Sequence, residues 1–450
     1  MKPCEEEVMS YVSEAPRQVP VLGEYELVVL GGGPAGMMAA ASAARAGRRV
    51  LLVERYGFLG GMGTAAGVSN FCGLYANVHG EHEVIVHGLV DDLLDRMERL
   101  NGLNTPHLIL GKVMARAYDV SAYKLAADDL MAEHGAELLF HAVAAAVSMR
   151  DDRTIDALIL ETKSGRMAVR GALFVDASGD GDLAALAGAP FEKGDEEGHL
   201  LYPSTMFRVA GVDPGRAGEA WKTIPALMEE AAAAGRFSFP RKGAIVRPQR
   251  NPTEWRANIT QLRNDDGSAI DGTDAFALSA GEVQGREQVR DVFTFLRTVP
   301  GFEQSYIVEI APQVGIRETR RIMGDYVLTE RDVLDCVEFA DSIGCNGWPV
   351  EAHVAGDVEW RFPDIPNVRG YNGLPYRMIV PRLVDNLFVV GRCASMTHAG
   401  QSAARVTGSC FAMGEAAGTA ADLALAAGIL PRAVDAGALR DTLDHNGVRL

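Results

Sequence analysis

Residues 26 to 55 read ELVVLGGGPAGMMAAASAARAGRRVLLVER, and the order of residue types in them leaves few folds open. A short apolar run, Glu26 to Leu30, leads into Gly31, Gly32, Gly33, Pro34, Ala35 and Gly36. An alanine-rich helical pattern follows, ends at Gly47, and gives way to a second apolar run, Arg49 to Val53. Strand, glycine turn, helix and strand in this order form a dinucleotide-binding unit, a stronger signal than a lone G-x-G-x-x-G. Gly31 permits the tight turn, Gly33 lets a pyrophosphate approach the backbone, and Gly36 lets the helix lie close on the sheet. The helix N-terminus then offers free N–H groups and a positive dipole end to the phosphates. Glu54 falls 23 positions after Gly31, where a carboxylate accepts hydrogen bonds from ribose hydroxyls and disfavours a 2′-phosphate. The plainer alternative for Glu54 is a solvated strand end.

At 450 residues the chain is longer than one core usually supports, so two domains are expected. Hydrophobic residues at 48% and charged residues at 23% fit a globular protein rather than a disordered one. No apolar run is long enough to span a bilayer, and the opening MKPCEEEVMSYVSEAPRQVP has neither a basic n-region nor an apolar h-region, so a cytoplasmic protein is expected. A formal charge of -17 repels phosphate backbones, which argues against a nucleic-acid partner. The six cysteines include no C-x-x-C pair, so neither a zinc knuckle nor a redox dithiol is signalled.

Immediately after Glu54, in ERYGFLGGMGTAAG, a second glycine cluster keeps the chain close to the ligand where an NAD-type domain would usually start its next helix. Two later segments repeat the theme. GALFVDASGDGDLAALAGAP reads as a buried strand (Leu173 to Val175), a turn of small residues and a helix, and DNLFVVGRCASMTHAGQSAARVTGSCFAMGEAAGTAADLAL reads as a strand ending at Gly391 followed by a helix. These three segments, in this order and spanning nearly the whole chain, resemble the two-domain FAD-dependent oxidoreductases of the glutathione-reductase type. The nearest resemblance is to bacterial FAD-dependent oxidoreductases, related to fumarate reductase flavoprotein-like enzymes, that carry a pattern like GIRETRRIMGDYVLT, here Gly315 to Thr329.

The resemblance implies FAD as the cofactor. It places Gly31, Gly33, Pro34, Ala35 and Gly36, then Glu54, Arg55, Gly60 and Gly61, along the adenosine and pyrophosphate, Gly391 and Arg392 under the ribityl chain, and Gln401, Ser402 and Ala403 at the flavin ring. Arg392 departs from the family pattern, where many relatives have aspartate. Arginine cannot accept hydrogen bonds from ribityl hydroxyls, so either another residue accepts them or Arg392 turns toward phosphate or solvent.

The fold expected is α/β: a Rossmann-like FAD-binding domain, discontinuous in sequence (residues 25–200 and 372–450), with an inserted mixed α+β substrate domain (201–371). All four tryptophans, Trp221, Trp255, Trp348 and Trp360, fall in the insert. Residues 1–24 form an acidic, proline-interrupted arm. No second glycine fingerprint for a docked nicotinamide is visible.

With a flavin as hydride acceptor, the protein must position a substrate C–H bond and manage a proton. Helical spacing puts His398, Ser402, Arg405 and Ser409 on one face of the last long helix. His398 is a candidate base, weighed evenly against a capping or surface role. Arg405 either anchors a substrate carboxylate or, the preferred reading, pairs with an acid between domains. Tyr376 either orients a substrate or packs with its hydroxyl on backbone.

Alternation suggests a strand with Arg317, Thr319 and Arg321 on one face and Ile316, Glu318 and Arg320 on the other. One arginine set either meets the flavin domain or substrate or, the preferred reading, forms salt bridges between domains, and a capping box follows from Thr329 to Asp332. The histidines at 79, 82, 87 and 107 suggest a loop near the cofactor mouth rather than a metal site, and no metal is expected. Cys72 stands where some flavoproteins attach FAD covalently, although its apolar neighbours favour a buried thiol. The sequence thus points to an FAD-dependent oxidoreductase acting on a small molecule. The alternative is an FAD-binding protein without net redox turnover: an isomerase, a hydratase or an assembly factor. The substrate, the direction of reaction, the electron acceptor (oxygen, quinone, carrier protein or nicotinamide) and homo-oligomer formation stay open.

Overall fold

Leu27, Val28, Val29 and Leu30, like all of Val50–Val53, are buried on both faces, so these runs belong in the middle of a covered sheet rather than at its rim. The computed structural model, which describes residues 12–365 and 367–450, places them there. Glu137–Leu139, Val50–Val53, Val21–Leu30 and Gly165–Asp176 lie side by side in that order, all parallel. Leu387–Val389 joins parallel to the far end of Gly165–Asp176, while Ile155–Thr162 and Val143–Met149 add antiparallel beside its start. The α/β Rossmann-like arrangement expected from the glycine turn is present. Its first strand starts at Val21, five residues earlier than the apolar run suggested, and the Ala168 N–H donates to Pro20 O just before it. The arm expected over residues 1–24 thus gives its last four residues to the strand, and residues 1–11 of it lie outside the described residues.

The helix Pro34–Arg45 crosses Thr407–Ala427 on small residues along most of its length, with an Arg45–Glu415 ion pair at its end. Ala39, Ala40 and Ala43 on one side and Ala416, Ala417 and Ala420 on the other are fully buried. A Cβ on Gly414 would stand 2.1 Å from Ala35 O, and one on Gly418 would stand 2.3 Å from Ala39 O. The helix Thr407–Ala427 therefore rests directly on the backbone of the first turns of Pro34–Arg45, just behind the glycine turn.

Two expectations change here. The stripe from His398 to Ser409 does not lie on one helix, because Val406 is extended (φ -73°, ψ 165°) and separates His398–Ala404 from Thr407–Ala427. The break lets Gly408 approach Gly73 so closely that a Cβ would meet its carbonyl at 2.1 Å. Residues 316–320 are likewise not a strand; strand pairing is confined to Arg321–Ile322 and an isolated bridge at Gly315. Both alternating sets are buried apart from a partly exposed Arg320, with Arg317, Glu318, Thr319 and Arg321 all inside, so the alternation separates no faces. The capping box is present: Thr329 Oγ1 accepts from the Asp332 N–H, and Asp332 accepts from the Thr329 N–H.

Between residues 207 and 310 a four-stranded antiparallel sheet forms in the order Ile245–Pro248, Trp255–Asn258, Phe207–Ala210, Tyr306–Ile310. The helices Ala220–Ala233 and Ala275–Leu296 cover it around a core of Trp255, Phe295 and Phe302. No helix among the described residues is long and apolar enough to cross a membrane. The helix crossing sets a test: Gly414→Ala should lower the urea midpoint by the equivalent of about 1–3 kcal/mol with the slope unchanged. A midpoint equal to that of the parent would contradict so close a contact.

Candidate active site

The turn needs glycine at some positions for its own sake and at another for a different reason. Gly31 has φ +101°, and a Cβ there would meet Ala177 O at 2.4 Å. On Gly36 a Cβ would lie 1.8 Å from Gly31 O, so helix and turn could not close. Gly33 is unlike both: its φ is -75°, and a Cβ would meet nothing nearer than Gly61 Cα at 3.6 Å. The protein makes no demand for glycine at position 33. What lies in front of it is open cavity, where a side chain would obstruct a phosphate approaching the backbone.

Glu54 is 5% exposed rather than a solvated strand end. Its Oε2 accepts from the Gly32 N–H at 2.7 Å and its Oε1 from the Tyr56 N–H at 2.9 Å, which ties the second strand to the turn. Arg392 lines the cavity and is not turned to solvent, with 10% of its side chain exposed. It donates to Asp180 Oδ1 at 3.0 Å, and Arg55 Nη1 stands 3.6 Å from the other oxygen of the same carboxylate. Asp180, in the SGDGD turn, had no assigned part in the sequence pattern.

The cavity runs from this turn to the four-stranded sheet. Of the residues singled out from sequence, Gly31, Gly33, Pro34, Ala35, Glu54, Arg55, Gly61, Gly391, Arg392 and Arg405 line it. Gly36 and Gly60 do not; they shape the turn, with the Gly60 N–H donating to Gly32 O. Gln401, Ser402 and Ala403 are fully buried away from the cavity, Gln401 Nε2 bridging Arg317 O (3.1 Å) and Arg392 O (3.3 Å).

Tyr376 is a packed crossover residue whose hydroxyl donates to Pro431 O at 2.7 Å. His398 also lies off the cavity, with Nδ1 2.9 Å from Glu318 Oε2 though without hydrogen-bond alignment. Glu318 forms a buried ion pair with Arg321, and Arg320 pairs with Asp182, so salt bridging accounts for those two arginines but not for Arg317. His79, His82, His87 and His107 do not line the cavity; His79 and His82 sit on the hairpin of Tyr75–Val78 and Glu81–Val84. Among the described residues no group of three His, Cys, Asp or Glu side chains is placed to hold a metal.

The far end of the cavity brings Arg317 and Trp348 together with Arg256, Glu351 and His353, three residues that sequence reasoning overlooked. Arg256 arrives from the four-stranded sheet, Arg317 from the loop after it, and Trp348, Glu351 and His353 from the stretch WPVEAH. The available signal was the E-x-H spacing: in extended chain, residues two apart share a face. Glu351 Oε1 stands 3.2 Å from His353 Nε2, and its Oε2 accepts from Trp348 Nε1 at 2.8 Å. Burial alone would push the Glu351 carboxyl up, but the His353 hydrogen bond, the Arg405 charge and the Trp348 N–H outweigh it and hold the acid at about 2. His353 is pushed down to about 3, first by burial and then by the Arg317 charge, against the pull of Glu351. A neutral imidazole beside a carboxylate donates through Nε2, leaving Nδ1 as an acceptor. Cys72 also lines the cavity, and burial pushes its thiol up to about 12, so it is present as the neutral thiol.

The family described as FAD dependent oxidoreductase matches this chain over residues 26–443. The chain belongs to that family. It is an FAD-dependent oxidoreductase enzyme, and FAD is its cofactor. No curated protein matches the sequence. Among solved structures it is similar to a geranylgeranyl bacteriochlorophyll reductase-like protein from Thermoplasma acidophilum, at 13% identity over 94% of this chain and 83% of that one, with a TM-score of 0.47. It is also similar to the flavin-dependent brominase Bmp2 (14% identity, 94% and 84% covered, TM-score 0.46). A third is p-nitrophenol 4-monooxygenase PnpA from Pseudomonas putida DLL-E4 (12%, 94% and 81%, TM-score 0.43).

The residues present fit FAD: a cradle at Gly33 that a Cβ would fill, and a buried acid at the end of the second strand. Gly33→Ala should therefore leave thermal stability of the FAD-free protein unchanged while weakening FAD about tenfold or more, read by fluorescence titration. Gly36→Ala should instead lower the stability of the FAD-free protein, and equal behaviour of the two variants would refute the distinction.

The His353 shift makes a separate prediction. The unfolded chain takes up this proton near 6.5 and the folded protein only near 3, so between those values the unfolded state holds more protons. Stability should rise with pH across that window, and His353→Gln should flatten the rise in denaturant midpoints measured from pH 4 to 7.

Proposed function

We propose that this enzyme oxidises a small organic substrate, or in reverse reduces it, by hydride transfer at the Arg256–His353 end of the cavity. The observation that carries this reading is His353 itself: a buried, neutral imidazole, oriented by Glu351, on the cavity wall. Bound FAD supplies the acceptor for two electrons. When a C–H bond beside an alcohol or amine breaks, its electron pair leaves with the hydride, a C=O or C=N bond forms, and the O–H or N–H proton must go elsewhere. His353 Nδ1 is the acceptor for that proton, and Glu351 stabilises the imidazolium that results. Trp348 fixes the Glu351 carboxylate and so the ring's orientation.

The cofactor assignments follow the layout of the two-domain flavoproteins of the glutathione-reductase type, with the more distant likeness to fumarate reductase flavoprotein-like enzymes. Gly31, Gly33, Pro34 and Ala35 would face the pyrophosphate, Glu54 and Arg55 the adenosine half, and Gly61, Gly391 and Arg392 the remainder of the chain. Gly36 and Gly60 would act by shaping the turn. On this reading residues 25–200 and 372–450 form the FAD-binding domain and 201–371 the substrate domain. In support, the seven-stranded sheet draws on residues 21–176 and 387–389, and the four-stranded sheet on 207–310.

Mixing the holoenzyme anaerobically with small alcohols, amines and hydroxy acids should bleach the flavin absorbance with at least one class, and an acceptor should restore it. His353→Gln should keep FAD bound yet slow the bleaching by about 10²–10⁴-fold, the range for loss of general base catalysis. Single-turnover bleaching at the parent rate would remove His353 from the chemistry.

A further inference from the structure

Two arginines meet carboxylates, Arg321 with Glu318 and Arg392 with Asp180, while buried Arg241, which meets none, donates to Asn258 O and Ile259 O. Three arginines of the cavity wall likewise meet no carboxylate, and two of them also carry unpartnered N–H groups. Arg256 is 6% exposed, its Nη1 is buried without a hydrogen-bond partner, and its Nη2 reaches only Asn70 Oδ1 at 3.5 Å. Arg405 has both Nε and Nη2 buried and unpartnered. Arg317 donates to neutral oxygens, Tyr202 O at 2.6 Å and Ser204 Oγ at 2.9 Å.

Among the described residues, none of the three stands in an ion pair. The carboxylates that share the cavity are engaged already: Glu54 by two backbone N–H groups, Asp182 by Arg320, and Glu351 by Trp348 and His353. This chain carries 60 acidic residues against 43 basic ones, so the local excess of positive charge does not come from composition.

We propose that the substrate carries a carboxylate, and that Arg256 and Arg405, together with Arg317, are its receptor. The inference rests on reading this end of the cavity as the substrate site. Uncompensated guanidinium groups in a buried wall are costly unless a counter-charge arrives, and unused N–H pairs on a planar fork match a carboxylate in two bonds. The positions argue against the cofactor's phosphates as that counter-charge. Arg256 comes from the four-stranded sheet and reaches Asn70, whose Nδ2 lies 3.5 Å from Cys72 Sγ, and none of these residues belongs to the glycine turn. Trp348, Trp360 and Ile245 supply apolar wall beside them, suited to the hydrocarbon body of an organic acid. A bound carboxylate also offsets the Arg317 and Arg405 charges that keep the proton off His353, so the base gains strength when substrate is in place.

The test uses the holoenzyme at fixed ionic strength, titrated with propionate, benzoate and succinate and with the matching neutral amides, read by flavin absorbance and by thermal unfolding. At least one acid should bind saturably and at least tenfold more tightly than its amide. Arg256→Met and Arg405→Met should each weaken that acid by about 10–100-fold. They should also raise the melting temperature of the acid-free protein, because an uncompensated buried charge has gone; a residue that merely held the fold would lower it.

Equal binding of acid and amide in all three pairs, or parent-like acid binding by both variants, overturns the proposal, and the wild-type comparison decides the matter even if a variant does not fold. Bleaching by a neutral alcohol without any acid preference would sink this inference and spare the hydride-transfer reading. An acid preference with no bleaching by any substrate class would do the reverse.

Discussion

The Glu54 carboxylate, accepting from the Gly32 and Tyr56 N–H groups inside the protein, is the interaction on which the rest of the site depends. It joins the end of the second strand to the glycine turn at the end of the first. The turn in turn fixes where the helix Pro34–Arg45 begins, and the helix Thr407–Ala427 rests on that beginning with no side chain between Gly414 and Ala35 O. A chain segment more than 350 residues away thereby becomes part of the turn's support. Close packing of this kind transmits small changes of volume, so the shape of the cavity beside the turn is set by backbone contacts rather than by adjustable side chains.

Charge is distributed in the molecule with the same economy. Around the turn, Asp180 gathers Arg392 and Arg55, and Arg320 takes Asp182, which leaves the paired arginines neutral in effect. At the opposite end, Arg256, Arg317 and Arg405 outnumber the one carboxylate there, the largely enclosed Glu351. One cavity therefore has two electrostatic characters, a compensated end beside the glycine turn and a positive end beside His353. An apolar wall with Trp348 and Trp360 adjoins the positive end. Such an arrangement favours a ligand whose charge and hydrocarbon parts are separated, and it ties the proton affinity of His353 to what occupies the space next to it.

How much of this was legible in the sequence follows from how local each feature is. The strand, turn and helix from Glu26 to Arg45 are coded within twenty residues, by apolar runs, glycines and alanines whose conformational preferences act on their nearest neighbours. The capping box at Thr329 and Asp332 is local in the same sense and is present. The stripe through His398 and Arg405 failed because periodicity assumes an unbroken helix, and Val406 interrupts it where Gly408 must meet Gly73. The alternation across Ile316 to Arg321 failed because a segment buried apart from a partly exposed Arg320 has no solvent face for alternation to report.

The sequence by itself determined the dinucleotide-binding unit, the α/β class and the membership of the FAD-dependent oxidoreductases, because these rest on residue types at short, fixed spacing. Tertiary structure decided which polar groups meet. It carried His398 and Tyr376 away from the cavity, brought Glu351 and His353 into it, and left Arg256, Arg317 and Arg405 without carboxylate partners. The physical reason is that the pairing of a charge depends on what other segments place within a few ångströms of it, and those segments here lie as far apart in the chain as Asn70, Arg256 and Arg405.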